Sequence, residues 1–393
     1  MKDELMTAID PQVQQTIDKM NAGWRNEVAA QMGMDPNTFQ LAQGTLGLQT
    51  SDSSGLFLMA DAVPPQSVAA YYDPSTMAKR SDAYNQLLHA MLPSSSSGLQ
   101  VALGPKYASW VLYRNADTSD LSQEALFTKW ASRNLDPDKI TPALSAFKAA
   151  ASDPLNTALD NVIDKAFRTT FVDDAGNTFS LPNYSTTITV ARTAIDNGAS
   201  ATINYKSSTA SSSSNGTSVS GSASGFYDIF SGSVGGSFQQ LNQRAASSDF
   251  EITGTVGKFA TVLSDAAGWY NGAMVSRAYN GKNDNTIWDP ASNMGDWGSF
   301  FGATGSLARR ASQLLLVSDY DLTVTSKATY SQSDFMQIKT EASFGVWPFF
   351  SASASATHTE TYTHNEDGSL SVRYQLNKGL IAIWGATIQP APN

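Results

Sequence analysis

The chain has 393 residues, no cysteine, and 25 Lys and Arg against 35 Asp and Glu, for a formal net charge of −10. The missing cysteines exclude disulfides, thiolate metal sites and a cysteine nucleophile, and the acidic balance argues against nucleic acid, whose phosphates are held by clustered Lys and Arg. Hydrophobic residues make up 41% and charged residues only 15%, so a folded chain with a weakly charged, hydroxyl-rich surface is expected, in two or three domains.

Residues 1–10 carry acids and no apolar core, so no secretory signal is visible, and no run approaches the roughly 20 apolar residues of a membrane helix. The compartment stays open; release from a cell would take a non-classical route or lysis. Residues 1–172 read as a mostly helical domain, punctuated by Asp10-Pro11, Asp35-Pro36, Asp73-Pro74, Asp136-Pro137 and Asp153-Pro154. An Asp cap accepts from free backbone N–H groups, and Pro at the first helical position lacks an N–H that would be unpaired anyway. The clearest helix starts at Pro154, with Leu155, Leu159, Val162, Ile163, Ala166 and Phe167 on one face. Others are predicted over 11–32, 74–92, 119–134 and 137–150, while 99–113 fits a strand or a buried helix.

Strand-like text begins near Tyr184, over 186–194 and 199–206. Residues 207–224 are low-complexity, either a Ser/Gly linker or one arm of a hairpin. A Trp- and Gly-rich connection over 269–301 follows, then an expected short helix over 307–317 with Arg309 and Arg310 on its solvated side. Strands over 370–376 and 380–388 are predicted to form a hairpin through Asn377-Lys378-Gly379.

The most unusual stretch is 350–363. From Ser351 every odd position is Ser or Thr, and the even positions read Phe350, Ala352, Ala354, Ala356, His358, Glu360 and Tyr362. Period two predicts a strand with two chemically different faces, about 45 Å long at about 3.3 Å per residue. Before it sits an aromatic turn, Gly345-Val346-Trp347-Pro348-Phe349-Phe350. Gly225-Phe226-Tyr227-Asp228-Ile229-Phe230 matches that turn at a constant 120-residue offset, which also carries Ile252 onto Val372 and Val256 onto Leu376. Upstream, Ile188-Thr189-Val190 falls on Leu322-Thr323-Val324 at a 134-residue offset. An internal duplication is expected, with copies over 184–268 and 319–393 and a connector over 269–318; chance similarity in Ser/Ala/Gly-rich text is the alternative.

Catalytic signatures are thin: there is no phosphate loop, no GxSxG elbow and no HExxH. His358, Glu360 and His364 share one strand face, but His358 and His364 would lie about 20 Å apart; a solvated polar stretch is the simpler reading. No cofactor, no metal and no enzymatic activity are expected. Amphipathic hairpins with Phe226, Tyr227, Ile229, Phe230, Val346, Trp347, Phe349 and Phe350 at their tips suit a membrane interface. The pattern resembles the β-pore-forming toxins, in the broad sense of the aerolysin-like and perforin-like groups. Two hairpins per subunit are more similar to the perforin-like arrangement.

The resemblance is compositional, covers residues 185–390 and includes no signature motif. It implies a protein that stays soluble until its hairpins unfurl in an oligomer, with a lipid membrane and further copies of the chain as partners. Lys327, Asp334, Lys339, Glu341, His358 and Glu360 confine the inserting parts to about 222–238 and 342–357. The alternatives are a self-assembling structural or interaction protein, and a β-rich domain whose aromatic tips are buried against each other or the helical region. The fold class expected is α+β: a helical N-terminal region, then a duplicated, mainly antiparallel β region with long Ser/Thr-rich hairpins.

Overall fold

A computed structural model describes residues 11–48, 52–68, 70, 72–74, 77–93, 96–151, 153–173, 175–209, 230–232, 236–349 and 358–391. The N-terminal part runs α1 (Pro11–Gln31), β1 (Phe39–Leu48), α2 (Ser54–Asp61), α3 (Arg80–Ala90), α4 (Ser96–Leu103), α5 (Tyr107–Asn115), α6 (Gln123–Asn134), α7 (Pro137–Ala151) and α8 (Pro154–Ile163). The Asp-Pro signal acts as expected at α8, where Asp153 accepts from the Leu155 N–H (2.9 Å) with Pro154 in the first turn. Asp35 instead folds a turn, accepting from the Asn37 N–H (2.9 Å) ahead of β1. Residues 99–113 are helical, and Leu99, Leu103 and Trp110 pack with Leu126, Phe127, Trp130 and Phe147 in a small core of their own.

Next come the β2 (Arg168–Val172) and β3 (Thr178–Pro182) hairpin, α9 (Ile188–Asp196), β4 (Ala199–Lys206), β5 (Phe230–Gly232), α10 (Gly236–Ala246) and β6 (Phe250–Leu263). The chain closes with α11 (Gly272–Asn280), α12 (Trp297–Phe301), β7 (Arg309–Ser326), α13 (Gln332–Glu341), β8 (Ala342–Val346), β9 (His358–His364), β10 (Leu370–Leu376) and β11 (Ile381–Pro390). The fold is α+β, with β7 as the spine of an antiparallel sheet. On one side β7 pairs with β6, which carries β4. On the other side it pairs with β11 along its first half and β10 along its second; β1 extends from β11 and β9 from β10.

Several local expectations are corrected. Residues 188–196 are a helix, not a strand, because the Thr187 hydroxyl caps the Val190 N–H (3.3 Å) and Ala191 and Ile195 bury one helical face. Residues 309–317 are strand, not helix: Leu314 to Val317 are all buried because helices and strands cover both faces of β7, and such a run carries no period to read. Arg310 therefore sits half-buried at a strand start, 3.0 Å from Asp265. The strands flanking Asn377-Lys378-Gly379 form no hairpin with each other; both run antiparallel to β7, one after the other, with a jog at Gly379 where φ is +82°. The described part of 1–172 is mostly helical, and it also lends β1 to the sheet against β11. Of the predicted 350–363 strand, His358–His364 is β9; residues 350–357 lie outside the described residues.

Candidate functional site

Two excursions leave the sheet at one end. β4 finishes at Lys206, opposite Glu251, and β7 finishes at Ser326, opposite Phe250 and Leu370. The inserts 207–249 and 327–357 thus start beside each other, and their described parts join. Phe230 of β5 pairs with Val346 of β8, and Gly232 with Ala342. Arg244 of α10 forms an ion pair with Asp334 of α13 (2.8 Å). Asn242 substitutes for a further strand by accepting from the Phe230 N–H (2.6 Å) and donating to its carbonyl (3.1 Å).

The four predicted tip residues that are described are buried. Phe230 and Trp347 have no exposed surface, and Val346 and Phe349 have 2% each. Their burial has a simple cause: the rings find apolar partners on α1 and on the inner face of the sheet, so they leave water. Trp347 packs against Phe250 and Tyr205 and donates its indole N–H to Asn21 Oδ1 of α1 (2.6 Å). Phe349 sits among Trp24, Tyr320, Tyr374 and Trp384, closest to Tyr374 at 4.7 Å between ring centres. The Val346 N–H donates to the Tyr374 hydroxyl (2.7 Å); burial, then the nearby Glu360 carboxylate, holds that hydroxyl well above its usual pKa, so it stays protonated. Phe226, Tyr227, Ile229 and Phe350 lie outside the described residues.

The period-two pattern of β9 does separate two faces. Tyr362, Glu360 and His358 point to the inner side, where Glu360 takes up His358 Nε2 and the Tyr362 hydroxyl at 2.9 Å each. His364 contacts the Tyr330 carbonyl (2.8 Å) and Gln332 (3.1 Å) instead, so the two histidines serve separate contacts. Among the described residues no group of three His, Asp or Glu is placed to hold a metal ion.

Thr359, Thr361 and Thr363 face out. The pairing registers extend them into three rows across five strands: Thr363, Ser371, Thr325, Glu251, Lys206; Thr361, Arg373, Thr323, Thr253, Asn204; and Thr359, Gln375, Asp321, Thr255, Thr202. None of these is buried and all are polar. The charges are matched locally, Arg373 with Asp321, and Lys206 and Lys327 with Glu251.

No known protein family, curated protein or solved structure matches this chain. Among the described residues no helix is long and apolar enough to cross a membrane. The site is therefore argued from its own geometry. The helix expected over 11–32 is α1, but its role as a cover was not read from the sequence. Its signal was present, since Ile17, Met20, Trp24 and Val28 recur at helical spacing and all four are buried.

Proposed function

We propose that the protein is a non-enzymatic, oligomerising, pore-forming or membrane-damaging protein that stores its two membrane-directed inserts folded and covered. One observation carries the reading: both inserts leave the same end of the sheet, and their described parts come together as a separate layer on its inner face. Among the described residues that layer is joined to the sheet by side chains, such as Tyr374 on Val346, and not by a strand ladder. The insert 207–249 is bounded by adjacent antiparallel strands, β4 and β6, so extending it lengthens an existing hairpin. Both inserts exceed the two arms of about 9–11 residues each that a spanning hairpin needs. The Thr face of β9 is the wet face of the sheet, so the Ser/Thr side of the extended arms would line water and the Ala and Phe side would meet lipid.

The test uses the absence of native cysteine. Gly232→Cys with Ala342→Cys joins the inserts at a paired position of β5 and β8. The reduced protein is expected to release dye from liposomes and the oxidised protein to be silent. A second reading, a self-assembling interaction protein, is favoured by β9, which ends the sheet with a hydroxyl-rich strand. Assembly that is indifferent to lipid would select it.

A further inference from the structure

We infer that α1 is an autoinhibitory strap that covers the aromatic turn and the outer edge of β4 together, and that its withdrawal frees the inserts and opens β4 to a second copy. The inference rests on the pore-forming reading and names the regulation of that site. One stripe of α1 makes both contacts. Asn21 holds the Trp347 indole, and Trp24 packs edge-on against Phe349 and Tyr205 and beside Trp384. One turn on, Glu27 Oε1 accepts from the backbone N–H of Asn204 (3.4 Å), on the side of β4 away from β6. The Met20 carbonyl accepts from the Tyr205 hydroxyl (3.2 Å).

Nothing in the sheet ladder holds α1. It ends at Gln31, two residues before Gly33, which lies in the left-handed region (φ +65°) with open space where a Cβ would sit, and the next strand, β1, is anchored independently on β11. The seam beneath the strap is imperfect: the Trp384 indole N–H is buried without a hydrogen-bond partner, which weakens the covered state. The edge that Glu27 blocks is one end of the five-strand run, and β9 is the other. Two different edges on one subunit make a head-to-tail contact, the kind that closes into rings. The occupant assigned to the β4 edge is therefore the β9 edge of a second copy.

Two variants test this. Glu27→Cys with Asn204→Cys ties α1 to β4 when the two thiols are bridged around the strand edge by a bifunctional crosslinker with a reducible link. Asn21→Ala with Glu27→Ala loosens the strap and is read without lipid, by amide exchange and sedimentation. The tied protein is expected to stay monomeric and to lose liposome leakage that returns on reduction. The loosened protein is expected to exchange about tenfold faster over 202–206 and 342–349 and to self-associate at lower concentration. Leakage from the tied protein as fast as from the reduced one overturns the strap and leaves the pore reading standing. A loosened protein that opens and assembles but never leaks sinks the pore reading and keeps the strap. Unchanged exchange and a persistent monomer in the loosened variant overturn the strap outright.

Discussion

Trp347 shows how little the chemistry of a side chain says about its surroundings. An indole in a Gly/Pro turn fits an exposed tip as well as a buried one, and this one is fully enclosed and hydrogen-bonded to Asn21. Replacing Trp347 with Ala is expected to cost about 3–5 kcal/mol of unfolding free energy, as for other large core truncations. Asn21→Ala strands the buried indole N–H and is expected to cost about 1–3 kcal/mol. Arg373→Ala is the control. Arg373 pulls the Asp321 carboxyl below its usual pKa, but both side chains are more than a third exposed, so the smallest loss of the three is expected. Urea unfolding of the three variants checks the order.

At the scale of elements, capping and amphipathic spacing were legible and buried runs were not. Asp153 and Ser122 each cap the helix that follows them. Leu314 to Val317 misled because a strand covered on both faces has no alternation, and Ile188 to Val190 misled because three β-branched residues in a row outweighed the Thr187 cap. The last turn of α3 supplies a pH-dependent prediction. His89 is buried beside Arg114; burial, then that guanidinium, lowers its pKa to about 3. The unfolded chain takes up this proton below about pH 6.5 and the folded chain does not until about pH 3. Stability from this group is complete above pH 6.5 and is lost as pH falls toward 3, by at most about 1.4 kcal/mol per pH unit. His89→Gln is expected to flatten that slope in unfolding curves across the window, whatever it does to absolute stability.

At the scale of the whole molecule, the 120-residue offset has a geometric counterpart. Ile252 and Val372 lie opposite Val324 on its two sides, and Phe250 and Leu370 flank Ser326 in the same way. The 134-residue offset has none, since it matches a helix, α9, to a strand, β7. The boundary at 172 is not a boundary between cores: Leu56, Leu88 and Leu159 pack in one cluster with Leu314, Leu316 and Ile383. Long-range burial of this kind leaves no period in the sequence. The aromatic turn at 345–350 was legible as special, but that Trp347 and Phe349 lie against α1 and that Phe230 pairs with Val346 was not. A tip pattern records apolar area without recording what covers it.

The most direct measurement of the central claim is dye release by the Gly232→Cys, Ala342→Cys protein, oxidised and then reduced in the same sample. The account expects silence while β5 and β8 are joined and leakage once they part. Equal leakage in both states would contradict it, because the inserts would then act without separating; so would a wild-type chain that releases nothing across lipids and pH yet assembles freely in solution.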